Sequence, residues 1–198
     1  MNIIACLVLC SSIACGTAAG ALDTADLLPS TERISASAYV GQSKSNNEAS
    51  CRKFVQGFYD WYVKASHKNG GFETAIDKKP RIFSREILRK LREDMAASRK
   101  SPGEIVGLDF DPFLNSQDVA DRCEAGKVTR KGDRYLVQIN SHYSDSKDAG
   151  PSLVAELRQE SGKWVFVNFH YGKGNGSPKN ENLLAVLAEL KAERGKKK

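Results

Sequence analysis

Two pairs of alternating segments, each joined by a tight turn, are the strongest constraint on how this 198-residue chain can fold. The turn KGD separates residues 126–130 from residues 134–143, and the turn SGK separates residues 151–160 from residues 164–172. Apolar and polar residues alternate in these segments, and a short connection that contains Gly is typical of a β-hairpin. Because the two hairpins follow each other along the chain, they predict an antiparallel sheet.

The last of these strands, WVFVNFHYG, has one face that changes character along its length. Alternation with a period of two places Trp164, Phe166, Asn168 and His170 on that face, and Val165, Val167, Phe169 and Tyr171 on the other. We expect Trp164 and Phe166 to cover a helix, and Asn168 and His170 to reach the open end of the domain. A small polar pocket at that end and simple exposure to solvent are the two interpretations.

Amphipathic helices are predicted on both sides of the strands. Residues 48–66 carry apolar side chains at steps of three and four, and a second helix is expected over residues 84–98 with Ser84 as its cap. A third helix is expected near the carboxyl end, with Asn180 as its cap and Gly195 as the residue that ends it. Helices, then an antiparallel meander, then a helix indicate an α+β domain. A curved sheet wrapped around the first helix, in a cone-like arrangement, would bury the apolar faces of both.

The first 21 residues contain no charged side chain, and they are mostly apolar from Ile3 to Cys15. A membrane-spanning helix needs about 20 apolar residues, and this run is shorter. Because small residues follow it, the run predicts a secretory signal. Cleavage after Ala21 is one route, and a lipoprotein signal that ends before a lipidated Cys15 is the other. We therefore expect an exported protein, located in the periplasm or anchored by lipid to the envelope membrane.

The rest of the chain divides by composition. Residues 22–47 are polar and Ser-rich and predict a flexible linker, residues 48–194 form a single domain, and residues 195–198 are a basic tail. The net charge is +6, but the 30 basic and 24 acidic residues are mixed along the sequence. No nucleic-acid motif accompanies this charge, so we expect a small ligand or an envelope protein as the partner and no nucleic acid.

Two of the five cysteines, Cys51 and Cys123, lie in the predicted domain. An even pair in an oxidising compartment predicts one disulfide, which would stabilise the fold by roughly 4 kcal/mol through the long loop that it closes. Two separate buried thiols are the alternative. Neither cysteine has neighbours at the spacing of metal ligands, and the sequence predicts no metal site and no cofactor.

The segment GLDFDPFLNSQD supplies the candidate binding residues Asp109, Asp111 and Asn115. It does not follow the pattern of a calcium-binding loop, which requires Gly and Glu at positions where this chain has neither. Turn chemistry is one interpretation, in which Asp and Asn side chains bond to nearby amides. The other is a recognition loop on which Phe110 and Phe113 are exposed.

The chain has three histidines but no nucleophile elbow, so the sequence alone does not define a catalytic triad. The catalytic candidates are His170 as a base, with Asp60 or Asp111 beside it. Asn168 and His170 are also candidate binding residues, as is Trp61, whose aromatic neighbours form either the wall of a ligand cavity or the core.

Four segments together resemble a family of small exported bacterial proteins, some of them lipoproteins, described as domain of unknown function 3828. The segments are FVQGFYDWY, GLDFDPFLNSQD, GKVTRKGDRYLV and GKWVFVNFHY, and the resemblance spans about residues 50–192. It implies a fold similar to the nuclear-transport-factor-2-like, or cystatin-like, α+β cone. It implies no catalytic or binding residues.

These observations favour a non-enzymatic envelope protein that acts as a binding or interaction module. A small pocket enzyme of the hydrolase or lyase type, which uses His170 and a nearby Asp, is an alternative. A further alternative is an inhibitor or immunity-like protein that blocks an envelope-targeting enzyme through the loop from Asp109 to Asp118. Fold alone does not decide between them.

Overall fold

The computed structural model describes residues 30–69, 71–101, 106–144, 152–172 and 182–196. The chain divides into two units, residues 1–39 and 40–198. The described part of the first unit is helical, and every contact reported below lies within the second. The predicted export signal, with Cys15 and Ala21, lies outside the described residues.

The described residues form an α+β fold, as predicted. The helices are α1 (Ser30–Asn69), α2 (Glu73–Lys78), α3 (Arg85–Lys100) and α4 (Leu183–Lys196), with a short 3-10 helix at Pro80–Ile82. The strands are β1 (Arg122–Lys131), β2 (Arg134–His142), β3 (Leu153–Glu160) and β4 (Lys163–Tyr171). They form one open antiparallel sheet in the order β1-β2-β3-β4, which confirms both hairpins.

The outermost helices extend further than the sequence predicts. Helix α1 begins at Ser30, so residues 30–47, which were expected to be a linker, are helical. Helix α4 continues to Lys196, so Gly195 does not end it. A Gly in the last turn of an exposed helix removes little packing, and the helix can therefore continue through it.

Side chains cap the amino-terminal ends of helices α3 and α4. Ser84 caps α3 as predicted, because its hydroxyl accepts the Ile87 N–H at 3.3 Å. At the start of α4 the carboxamide oxygen of Asn182 accepts the Ala185 N–H at 3.1 Å. The cap of α4 is therefore Asn182, and the predicted cap, Asn180, lies outside the described residues.

The core lies between α1 and the sheet. The ring of Phe58 on α1 lies 5.0 Å from that of Phe166 on β4 and 5.9 Å from that of Phe113. At the start of β4 the indole N–H of Trp164 donates to the hydroxyl of Ser50 at 3.0 Å. Trp164 and Phe166 thus cover the first helix, as the sequence predicts.

Strand β4 does not alternate strictly, because it contains a β-bulge. Glu156 of β3 pairs with Asn168, but the next residue, Leu157, pairs with Phe166. Val167 is therefore an extra residue in β4 with no counterpart in β3. Such an insertion changes which side chains share a face on either side of it.

The bulge corrects the predicted faces of β4. Phe169 lies on the same core side as Phe166, with ring centroids 5.2 Å apart, although strict alternation would separate them. Asn168 and His170 alternate with Phe169 and point to the outer face of the sheet. They do not share the face of Trp164, and so they do not reach an opening on the side of the helix.

Helix α1 is also bonded to the far edge of the sheet. The carboxamide of Gln56 donates to the Cys123 carbonyl at 3.0 Å and accepts the Ala125 N–H at 2.8 Å. These are outward-facing backbone groups of the edge strand β1, which a free edge would leave unpaired. Helix α1 therefore contacts both edge strands of the sheet.

The other edge, β4, is covered by the segments that lead into α3 and α4. Phe83 forms a parallel bridge with Phe166, and the Ser84 N–H donates to the Phe166 carbonyl at 2.8 Å. Asn182 forms an antiparallel bridge with His170. The starts of α3 and α4 consequently lie along the same strand edge.

Candidate functional site

A polar groove of about 590 Å³ lies where the outer face of the sheet meets the starts of α3 and α4. Three strands and the first turns of two helices contribute its lining. The lining residues are Ser84, Arg85, Glu86, Arg134, Glu156, Arg158, Glu160, Val167, Asn168 and Leu184. A concave site with converging polar groups is the usual form of a ligand site.

The charges of the groove follow from the alternation of β3. Its buried residues Leu153, Ala155 and Leu157 face the core, so the residues between and beyond them face outward. The outward positions include Glu156, Arg158 and Glu160. The sheet therefore presents a charged floor on the face opposite α1.

The floor charges are already paired with one another. Arg158 donates to Glu160 at 2.6 Å, with both side chains partly exposed. One carboxylate oxygen of Glu156 lies 2.7 Å from Nε2 of His170, and its other oxygen lies 3.9 Å from the guanidinium of Arg134. These contacts pair the charges of the floor, so a ligand meets both positive and negative side chains there.

The rim of the groove carries two charged side chains that, unlike those of the floor, are not paired within the described residues. Arg85 and Glu86 are exposed in the first turn of α3, and neither has an ion-pair partner within the described parts of the chain. A ligand would therefore compete with water, and not with another side chain, for these two groups.

His170 and the two candidate aspartates lie in different places. His170 is on the outer face, where its carboxylate neighbour is Glu156. Asp60 is exposed on α1 and accepts from Gln56 at 2.7 Å, while Asp111 lies on the core side of the sheet against Tyr62. The structure does not bring His170 together with either aspartate, because the bulge turns His170 outward.

The Asp111 loop follows turn chemistry, which was one of the two interpretations. One carboxylate oxygen of Asp111 accepts the N–H groups of Phe113 at 2.9 Å and Leu114 at 3.2 Å. The other oxygen accepts a short hydrogen bond from the Tyr62 hydroxyl. Phe113 is fully buried, so the expectation that it is exposed for recognition is wrong.

Further hydrogen bonds fix this loop to the domain. The hydroxyl of Tyr59 donates to the Phe113 carbonyl at 2.8 Å, and that of Tyr171 donates to the Pro112 carbonyl at 3.2 Å. Asn115 has a left-handed φ of 54°, and its amide donates to Ser152. Asp109 is exposed beside the loop. The roles seen for Asp111 and Asn115 are structural.

Replacing Asp111 with Ala should lower the free energy of unfolding by about 2–3 kcal/mol, because it leaves buried donors without an acceptor. The donors are the amides of Phe113 and Leu114 and the hydroxyl of Tyr62. Urea denaturation measures the loss. Asp111→Asn keeps an acceptor for both amides and should cost less than about 1 kcal/mol; equal losses in the two variants would contradict this assignment.

Comparing Asp111→Asn with the parent protein also gives an expected pH dependence of stability. Burial raises the pKa of Asp111, although its hydrogen bonds favour the carboxylate. A pKa raised by folding contributes stability that is full below the unfolded pKa and is lost as the pH rises through the folded one. The stability of Asp111→Asn relative to the parent should therefore increase from about pH 3 to about pH 7; a constant difference would contradict it.

Of the predicted binding residues, Asn168 lines the groove. Its amide donates to Asn182 at 3.0 Å, and its oxygen accepts the Leu184 N–H at 3.3 Å, so it joins β4 to the start of α4. Trp61 is half-buried elsewhere, with the ammonium of Lys79 4.6 Å from its ring centroid. Trp61 thus takes part in a cation–π contact away from the groove.

The two domain cysteines are buried and free in the structure, which differs from the predicted disulfide. The Cys123 thiol instead lies 3.5 Å from the Ser141 hydroxyl, and burial raises the pKa of Cys51 to about 12.

Reasoning from the sequence missed the charged residues of the groove, above all Arg85, Arg134 and Arg158. One signal could have indicated two of them. When a strand in the interior of a sheet carries charges at every second position, the face that bears those charges is exposed to solvent. Arg158 belongs to such a series, and Arg134 lies on the neighbouring strand.

The described residues include no group of three or more His, Cys, Asp or Glu side chains placed to hold a metal ion. None of the helices that the structure describes combines the length and the apolar character needed to cross a membrane. No protein-family model, curated protein or solved structure matches this chain.

Proposed function

We propose that this protein is a non-enzymatic binding module and that its ligand occupies the groove on the outer face of the sheet. The observation that carries this proposal is the combination of a floor of paired charges with Arg85 and Glu86 at the rim. A ligand that offers both acidic groups and hydrogen-bond donors complements such a surface.

A pocket enzyme is the second candidate, and one observation favours it. His170 lies 2.7 Å from Glu156, a geometry in which a carboxylate orients an imidazole. The hydroxyl that lines the groove, that of Ser84, is engaged in capping α3. Because no activated nucleophile accompanies the pair within the described lining, the binding function has the stronger support.

The location and family of the protein belong to the same proposal. The uncharged segment of residues 1–21 supports export to the periplasm, with or without a lipid anchor. The contacts of α1 with both edge strands, through Gln56 and Ser50, support a sheet that wraps around the helix in a cystatin-like cone. The four resembling segments support membership of the exported bacterial family. The inhibitor alternative loses support because Phe113 is buried.

Amide chemical-shift mapping tests the site. We expect a library of tripeptides, or citrate and phosphate added separately, to shift the signals of Arg85, Asn168 and Leu184. The variant Arg134→Gln/Arg158→Gln should abolish these shifts. Its matched control, Arg52→Gln/Lys53→Gln, removes two exposed charges of α1 and should leave them unchanged.

Two results would overturn the proposal. The first is a set of shifts confined to the loop of residues 109–118, or no shift with any of these probes. The second is turnover of ester or phosphoester substrates that disappears in His170→Ala, which would favour the enzyme.

A further inference from the structure

A second, shallower groove of about 480 Å³ runs along the exposed side of α3. It is lined by Arg85, Leu88, Arg89, Arg92, Glu93 and Ala96. Arg85 also lines the groove on the sheet, so the two grooves meet at this side chain. The two grooves are therefore adjacent, one on the outer face of the sheet and one on α3.

The helical spacing gives this second groove a cationic edge. Arg85, Arg89 and Arg92 follow one another at steps of four and three, which places them on one side of α3. Arg92 has no acidic partner within the described residues. Arg89 pairs with Glu93 at 2.6 Å, but both side chains are exposed, and such a pair holds its partners weakly.

We infer that the ligand is an extended acidic segment of a protein partner, which lies in the sheet groove and continues along α3. This inference rests on the proposed binding function. The guanidinium groups of Arg85, Arg89 and Arg92 match carboxylates, which they can bind through two hydrogen bonds each. Leu88 and Ala96 line the same groove and offer an apolar surface for a side chain of this segment.

The lining argues for a peptide over other anionic partners. Glu86, Glu156 and Glu160 would repel the continuous phosphates of a nucleic acid. No aromatic ring is among the described residues that line either groove, so no platform for base stacking is present there. A bilayer is flat and cannot enter the groove on the sheet. A polypeptide supplies both carboxylates for the arginines and N–H donors for the glutamates.

Fluorescence anisotropy with two matched peptides tests the inference. The probes are a labelled dodecapeptide with the repeat Glu-Ala-Ser and the same peptide with Gln in place of Glu. The Glu peptide should bind the full chain at least about tenfold more tightly than the Gln peptide, and added salt should weaken it. Arg89→Gln/Arg92→Gln should weaken it by about tenfold, and Arg52→Gln/Lys53→Gln by less than about twofold.

The outcomes separate the inference from the proposed function. If the tripeptide shifts map to the sheet groove but Arg89→Gln/Arg92→Gln leaves dodecapeptide affinity unchanged, the extended ligand is overturned and the binding function stands. Equal affinity for the Gln peptide would overturn the acidic class. Tighter binding to phosphatidylglycerol vesicles or to an oligonucleotide, lost in the same variant, would overturn the peptide. Absence of any shift in the sheet groove overturns the binding function itself.

Discussion

Replacing Asp94 with Ala should lower the free energy of unfolding by about 3 kcal/mol, because it removes a buried acceptor and leaves the partly buried guanidinium of Arg194 without its counter-charge. Asp94 on α3 is 2% exposed, and one of its oxygens accepts from Arg194 of α4 at 2.6 Å. The other oxygen accepts the Leu108 N–H at 2.9 Å, and Arg194 also donates to the Val106 carbonyl at 2.7 Å. Thermal and urea denaturation measure the loss.

Variants around the same contact provide the controls. Asp94→Asn keeps an acceptor for the Leu108 amide and should lose less than the Ala variant. Glu93→Ala breaks exposed ion pairs at the preceding residue and should cost much less than Asp94→Ala, because exposed pairs contribute little to stability. The double variant Asp94→Ala/Arg194→Met should lose less than the sum of its single variants, because the two side chains share one interaction. A loss below about 1 kcal/mol for Asp94→Ala would contradict the assignment.

The Asp94 contact also bears on the groove. Helices α3 and α4 start side by side at the edge of β4, and Asp94 joins them again toward their far ends. Gly107 allows this close approach, since a Cβ at that position would lie 2.8 Å from the Asp94 carboxylate. Helices α3 and α4, whose first turns line the groove, are therefore anchored at their starts and joined again further along. This keeps the backbone at Arg85 in one position relative to the sheet.

Much of the fold could be predicted because its signals are local. The hairpins follow from alternation around the turns at Gly132 and Gly162, both of which have positive φ, and the cap at Ser84 follows from its place before an apolar stripe. The bulge at Val167 could not be predicted, since it depends on pairing with β3 and not on the sequence of β4 alone. The faces assigned to Asn168 and His170 were wrong for this reason.

The groove was beyond a sequence argument because its parts are distant along the chain. Arg85, Arg134 and Arg158 come from three elements that only the tertiary fold brings together. The disulfide was predicted from a count of cysteines, which carries no information about the distance between Cys51 and Cys123. The turn chemistry of Asp111 was open to prediction because two of its partners, the amides of Phe113 and Leu114, are two and three residues away.

Replacing Phe166 with Ala should lower the free energy of unfolding by about 3–5 kcal/mol, because it leaves a cavity at the centre of the aromatic core. Phe166 is fully buried, with ring centroids of Phe58 at 5.0 Å, Phe169 at 5.2 Å and Phe83 at 5.7 Å. These partners come from α1, from β4 and from the segment before α3, so the cavity would loosen three elements at once. Differential scanning calorimetry should show a lower midpoint.

The matched control for this loss is Phe72→Ala, which removes the same side chain from a half-buried site. Phe72 lies against the core with its ring centroid 6.5 Å from that of Phe113, so its removal leaves a gap that water can reach. We expect a loss of about 1–2 kcal/mol there, and a similar loss for Phe166→Leu, which keeps part of the volume. Because the Phe166 carbonyl accepts the Ser84 N–H, loosening β4 should also displace the start of α3. Equal losses in Phe166→Ala and Phe72→Ala would show that the core is not centred on this ring.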